Sequence, residues 1–252
     1  MRLKDKVIVL TGSNGLIGKD LKGMLFREGA KLAVIGHKKK GVNSILLTNE
    51  SGSILADSID VTKKKSIKKC FKRIVDHFGK IDLLINNAGI DRKIDDPEDL
   101  YSIPFEDYPS KKIKECIDVN MMGTIKVTQR ACKHFLKQGY GNIINIGSIY
   151  SMLSPNPSSY AEGKFKPVDY VVSKSFIPNF TRYITACYSK ENIICNALAF
   201  TGIGGYSEKL LEDSPAHNMC NVQDIFEAIV YLSNYNYMNG QTLMIDGGLS
   251  VW

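Results

Sequence analysis

The sequence predicts an α/β domain built on a doubly wound parallel sheet, and three observations carry that expectation. Short continuous apolar runs alternate along the chain with longer segments of helical periodicity. The first run leads at once into three glycines, as a strand does before a phosphate-binding turn. Later runs end in polar, chemistry-bearing residues, and ligands bind at the carboxyl ends of strands in open α/β sheets. With 252 residues, 44% of them hydrophobic, the chain can bury its core as a single domain, 1–252.

Residues 6–10 read as a short buried strand, followed by Gly12, Gly15 and Gly18. From 16 to 29 apolar side chains recur at helical spacing. Strand, glycine turn and helix make a phosphate site of the dinucleotide type. Backbone N–H groups at the helix start face the anion, and missing side chains let it approach. The order G-x-x-G-x-x-G is neither G-x-G-x-x-G nor a P-loop. A second strand at 31–35 ends in Gly36, His37 and Lys38. A carboxylate there would hold the ribose hydroxyls of NAD and repel a 2′-phosphate, whereas His37 and Lys38 can accept one. NADP is therefore favoured over NAD; the competing reading makes both residues ordinary exposed loop.

Residues 53–56 read as a third strand, with Asp60 and Val61 just beyond it. The clearest helix is 63–78, apolar at 67, 70, 71, 74, 75 and 78 with Lys and Arg opposite, and its stripe is core. A continuous apolar strand at 81–85 suits a sheet covered on both faces and runs into Asn86-Asn87-Ala88-Gly89. The acidic, Pro-punctuated stretch 91–109 is expected to be a surface loop near the substrate. One long helix is expected over 113–135, apolar at 113, 117, 121, 127, 131 and 135, with Asn120 inside it. By residue type alone such an Asn faces solvent or bonds locally. A fifth strand at 142–146 delivers Ser148 to its carboxyl end. The helix opening at Tyr170 runs to about 190, with a kink expected at Pro178. A sixth strand at 193–198, a Gly-rich mobile lid at 201–214, a helix at 222–232 and a last strand at 241–245 complete the chain.

The chemistry is expected where Ser148 and a Tyr-x-x-x-Lys meet. Four residues turn a helix by about 400° and raise it about 6 Å, so Tyr170 and Lys174 share one face. An ammonium held that near favours the phenolate of Tyr, making it a usable acid and base near neutrality. The Ser148 hydroxyl can pin a carbonyl or alcohol oxygen beside the phenol. The same spacing occurs at Tyr108–Lys112 and Tyr160–Lys164. Pro109 places Tyr108 before any helix, and Gly163 with Pro167 breaks one at Tyr160. Only Tyr170 opens a long helical pattern.

Composition narrows the remaining classes. The first residues hold only four consecutive apolar side chains, short of a signal peptide's central run, and no run approaches the ~18 residues that span a bilayer. Six Cys without a C-x-x-C pair read as reduced thiols, and four His without ligand spacing argue against a metal site. A soluble cytoplasmic protein with no membrane partner is expected. The net charge of +7 gathers in 37–40 and 63–73, as solvated helix faces or as attraction for an anionic cofactor or substrate. Basic residues are not interleaved with stacking aromatics, so no nucleic-acid partner is expected.

Taken together, these residues resemble the short-chain dehydrogenase/reductase family over almost the entire chain. The resemblance implies a Rossmann-type fold and an NAD(P)-dependent oxidoreductase acting on a secondary alcohol or ketone. It maps the catalytic set onto Asn120, Ser148, Tyr170 and Lys174. Tyr170 would exchange the proton, Ser148 orient the oxygen, Lys174 also hold the nicotinamide ribose, and Asn120 support a water relay. The cofactor set it implies comprises Gly12, Ser13, Asn14, Gly15, Leu16, Ile17 and Gly18. Beyond the turn it adds His37, Lys38, Asp60, Val61, Asn87, Ala88, Gly89, Ile203, Tyr170 and Lys174. The glycine spacing is commoner in the family's longer, sugar-nucleotide-modifying branch, and Phe200-Thr201 stands where Pro-Gly is expected. The link from Ser148 to Tyr170 is longer than usual, an inserted substrate loop at 149–169 with Tyr150 and Tyr160 as candidate substrate contacts. With the ending at Trp252, that loop is similar to a bacterial flagellin-modification oxidoreductase subgroup associated with nonulosonic-acid or nucleotide-sugar pathways. A small-molecule carbonyl or alcohol substrate and a homodimer or homotetramer follow from the likeness. Trp252 is expected at a subunit interface. A nucleotide-sugar epimerase or dehydratase with tightly bound cofactor, or a non-catalytic NAD(P)-sensing protein, are the alternatives.

Overall fold

The computed structural model describes residues 1–36, 45–49, 52–94, 97–203 and 214–251. Strands β1 (Val7–Thr11), β2 (Lys31–Gly36), β3 (Ile45–Asn49), β4 (Gly52–Ser58), β5 (Leu83–Asn86), β6 (Gly141–Ile146), β7 (Ile193–Phe200) and β8 (Thr242–Ile245) form one sheet. Their order is β3-β4-β2-β1-β5-β6-β7-β8. Every neighbouring pair is parallel except β3 with β4. The strand order reverses between β1 and β5, which opens a crevice at their carboxyl ends.

Around the sheet lie α1 (Leu16–Arg27), α2 (Lys64–Phe78), α3 (Ser110–Cys116), α4 (Thr124–Gln138), α5 (Val168–Ser175), α6 (Ile177–Cys187) and α7 (Val222–Asn234). Successive strand side chains point to opposite faces, and both faces of β1 are covered. Ile8 and Leu10 pack with Leu21, Leu25, Ile225 and Ile229 of α1 and α7. Val9 faces the other layer, with Ile67 and Phe71 of α2, Phe135 of α4 and Ile184 of α6. That two-sided cover is why the strand reads as an unbroken apolar run. Full burial of a side chain such as Phe71 contributes about 2 kcal/mol. Both α2 and α4 stop at a glycine in the left-handed region, Gly79 and Gly139, whose N–H groups return to Val75 and Phe135.

Four expectations need correction. A strand at 45–49 goes unread in the sequence, yet β3 pairs antiparallel with β4 there, Asn49 opposite Gly52. The single helix over 113–135 is instead α3, a π-helical turn over Ile117–Gly123, and α4. Its buried face in the first half is Cys116 and Asn120, while Ile113, Ile117 and Met121 are only half-buried. The Tyr170 helix is two helices, broken just before Pro178, which sits in the first turn of α6 and has no N–H to return. The stretch 91–109 is not wholly surface: Leu100, Tyr101 and Tyr108 are buried.

Candidate active site

The glycine turn is shaped by contacts that only glycine permits. Gly12 has φ +68°, and a Cβ on it would stand 2.7 Å from the Ala88 Cα. A Cβ on Gly18 would lie 2.2 Å from the Gly12 carbonyl oxygen, so the start of α1 rests directly on the turn. Gly15 is the N-cap, no side chain caps the helix, and no acidic residue occupies its first turn. The first N–H groups of α1 have no intrahelical acceptor, and the positive end of its dipole faces the crevice mouth. Ser13 is buried and its N–H donates to the Ile35 carbonyl at 3.1 Å. Asn14 lies over Gly36, Leu16 is 72% exposed and Ile17 packs partly into the core. The backbone donors, the open N-terminus and the crowding that keeps the turn flat fit a dinucleotide pyrophosphate.

The opposite wall of the crevice is tied to this turn. The Thr11 hydroxyl accepts the N–H groups of Asn87 and Ala88, both at 3.0 Å. The Asn87 amide donates back to the carbonyls of Thr11 and Gly12 at 3.0 and 3.2 Å. Behind it, Asn86 donates to Asn145 and Thr128, and Asn145 donates to Thr181, a buried chain joining β5 and β6 to α4 and α6. Asp60, past the end of β4, spends one carboxylate oxygen on the Thr62 N–H and hydroxyl at 2.8 and 2.6 Å. Val61 packs against Gly123 of the π-helical turn. His37 and Lys38 lie outside the described residues, as do residues 204–213 of the expected lid and Trp252.

The π-helical turn presents Asn120 inward rather than to solvent. Its Oδ1 accepts the Ile90 N–H at 2.6 Å, and its Nδ2 donates to the Ile90 carbonyl and the Ser173 hydroxyl, both at 2.9 Å. The Thr124 hydroxyl donates to the Asn120 carbonyl at 2.7 Å, satisfying a group that the wider turn releases. Cys116 lies in the same cluster, and burial pushes its thiol up to about 11. Asn120 thereby fixes α5 against the segment that follows β5.

Tyr170 and Lys174 stand one turn apart on α5. The Lys174 ammonium donates to the Ile146 carbonyl at 2.9 Å, at the end of β6, and lies 5.9 Å from the centre of the Tyr170 ring. A Cβ built on Gly89 would be 3.8 Å from this ammonium and 3.3 Å from the Asn120 oxygen, so both side chains border Gly89. Burial lowers Lys174 to about 8, against a smaller upward pull from Asp91. Ser148 is buried two residues beyond Ile146 and caps a short 3₁₀ turn that packs on α5. Its oxygen accepts the Tyr150 N–H at 3.3 Å.

The segment between Ser148 and α5 holds Tyr150 and Tyr160 hydroxyl to hydroxyl at 2.7 Å. Ile203, beyond the buried Phe200-Thr201, packs against the α1 and α7 side of the core. Sequence reasoning passed over Thr11, Ser173, Asp91, Tyr101 and Lys166. The Lys166 ammonium is 4.4 Å from the Tyr170 ring centre, bonded to Asp91 at 2.6 Å and to the Tyr101 hydroxyl at 3.0 Å. The one local signal was Pro167, which disfavours helix at Lys166 and caps the start of α5.

The family model described as short chain dehydrogenase matches residues 6–206. The chain is 28% identical to a 3-oxoacyl-(acyl-carrier-protein) reductase of Thermotoga maritima, covering 100% of both chains. It is 29% identical to post-translational flagellin modification protein A of Campylobacter coli, over 98% of each. A short chain dehydrogenase from Leptospira borgpetersenii, solved with bound NAD+, superposes with a TM-score of 0.84 at 26% identity, over 98% of this chain and 94% of that one. Among the described residues no helix is long and apolar enough to cross a membrane.

Proposed function

The chain belongs to the short-chain dehydrogenase family, and from that premise we propose that it interconverts a secondary alcohol and a ketone on a small molecule, with Tyr170 as proton carrier. It is an oxidoreductase with a dinucleotide-binding fold. The observation that carries the proposal is the buried Lys174 ammonium, held by the Ile146 carbonyl beside the Tyr170 ring. A cation there, in a site of low polarity, favours the phenolate and makes proton exchange accessible near neutral pH.

Bound in the crevice, a nicotinamide dinucleotide would supply or accept the hydride. The backbone from Gly12 to Gly18 and the open start of α1 hold its pyrophosphate, and Asp60, Val61 and Asn87 to Gly89 line the path along the strand ends. Tyr170 gives a proton to the substrate oxygen in reduction and takes it in oxidation. Ser148 orients that oxygen, Lys174 supports the phenolate and holds a ribose, and Ile203 borders the nicotinamide side. Asn120, its amide committed to Ile90 and Ser173, acts by keeping α5 in place.

A β2 that ends without an acidic residue favours NADP over NAD. The flagellin-modification relative supports a sugar or nucleotide-sugar intermediate as substrate. We take residues 149–169 as the loop that closes over it, with Tyr150 and Tyr160 as its contacts, and 201–214 as the lid. Assembly as a homodimer or homotetramer is supported by exposed apolar side chains on α5 and α6, Val172 and Tyr183. The test is cofactor titration followed by turnover on a panel of carbonyls and polyols. Tyr170→Phe should lose roughly 10³-fold in turnover and still bind cofactor. A Tyr170→Phe enzyme that keeps its rate would end the proposal.

A further inference from the structure

Two lysines, not one, press on the Tyr170 phenol. Residues 164–167 lie outside regular secondary structure beside Tyr101, with the Phe165 N–H donating to the Tyr101 carbonyl at 2.8 Å. Phe165 is 51% exposed, whereas the Lys166 side chain is 1% exposed. Pro167 disfavours helix at Lys166 and starts α5, so the ammonium arrives at the helix start, four residues ahead of Tyr170.

An ammonium has three N–H donors. Two of those of Lys166 serve Asp91 and the Tyr101 hydroxyl, which in turn donates to the Arg92 carbonyl at 3.1 Å. The third is left to the face of the Tyr170 ring, 4.4 Å away at its centre. Lys166 is thus closer to the Tyr170 ring than Lys174 is, at 5.9 Å. We infer that Lys166 is a positioning residue that acts on Tyr170 through the ring face, favouring its phenolate and setting the pH at which it exchanges a proton.

Several charged and titratable groups lie close to Tyr170 or to Lys166. Lys174 lies on the same helix and adds to the effect. Asp91 opposes it, partly neutralising Lys166 from the segment after β5. Asp169 is turned to its own neighbour's backbone, accepting the Tyr170 N–H at 2.7 Å, with Arg92 3.7 Å from its other oxygen. Tyr101 is held protonated by burial. The carboxylate bonded to Lys166 is 37% exposed, and water weakens its opposition to a cation over the Tyr170 ring.

The inference rests on Tyr170 as the proton carrier, and its test separates the two. Protein labelled with ¹³C at the tyrosine ζ carbon is titrated by NMR, the Tyr170 resonance being the one missing from Tyr170→Phe. Lys166→Met should raise the midpoint by about one pH unit, and Lys166→Arg should restore it. Asp91→Asn should lower it, because the ammonium loses its counter-charge and keeps its place. The pH limb of kcat/KM should move with each midpoint. A lysine that only staples the loop would leave the midpoint where it is, or move both variants the same way, and either result overturns the inference. If Lys166→Met fails to fold, the direction of the Asp91→Asn shift decides. A Tyr170→Phe enzyme with full activity would sink the proton-carrier reading alone, since the titration still reports what Lys166 does.

Discussion

Lys174 and Lys166 are both buried beside one phenol, yet they are held in opposite ways. Lys174 has a backbone carbonyl and, among the described residues, no carboxylate within ion-pair distance; burial drags it down to about 8. Lys166 has Asp91 at 2.6 Å. The difference teaches which cation carries the stronger field and which also anchors a segment. An unpaired buried ammonium is costly, and persists where its charge is aimed at something that becomes negative. A paired one exerts a weaker field but can anchor a segment, here the run from Lys164 to Pro167.

The largest effect that would break this contrast is at Lys174. Lys174→Met should lower turnover by roughly 10²–10⁴-fold and yet make the protein more stable at pH 7. Its folded value of about 8 lies below the 10.5 of the free side chain. Between those values the unfolded chain binds the proton more fully, so this group's contribution to stability rises with pH across that window. Below pH 8 its full cost applies, about 3 kcal/mol as an upper bound, since the Ile146 hydrogen bond is lost with it. Urea unfolding of both proteins at pH 7 and pH 10 checks the sign. A variant less stable at pH 7 by a similar amount would mean that Lys174 is a structural anchor.

Asp91→Asn is the next probe. It leaves the Lys166 ammonium buried without its counter-ion and should cost about 2 kcal/mol, less than a fully buried pair because Asp91 is 37% exposed. Combining it with Lys166→Met should recover most of that loss, because the uncompensated charge is then gone. Urea midpoints of the two single variants and the double variant give the coupling. Strict additivity would show that the pair does not interact and that the loop is held by other contacts.

The contrast between the two lysines was only half legible in the sequence. Lys174 belongs to a local pattern, because helix geometry alone puts it under Tyr170. Lys166 depends on Asp91, 75 residues earlier, and no local period encodes such a pairing. The same division runs through the fold. β1, α2 and β6 were readable because composition and period agree with what covers them. β3 was not, since a short apolar run on an antiparallel edge lacks the helix-strand alternation around it. The π-helical turn did leave a trace. The expected stripe steps by four from 113 to 121 and again from 127 to 135, but by six between 121 and 127, where the turn resets the helical phase. What it could not show is that Asn120 would face inward, because that depends on Ile90 and Ser173 arriving from elsewhere.

The smallest expected effect lies at the other lysine of the run, Lys164, which pairs with Asp99 at 2.5 Å with side chains 27% and 48% exposed. The pairing pulls the Asp99 carboxyl below its usual range. Any stabilisation is therefore present above that range and lost as pH falls below it, through the lowered folded value. Water surrounds this pair, however, and salt screens it. Asp99→Asn should leave the urea midpoint at pH 7 unchanged within error, and about 1 M salt should erase any residual difference. Lys164 and Lys166 sit two residues apart with similar carboxylate distances, so burial is what separates them. A loss at Asp99 as large as that at Asp91 would mean that the run is anchored by both pairs equally, and that burying Lys166 against Tyr170 gives it no separate part.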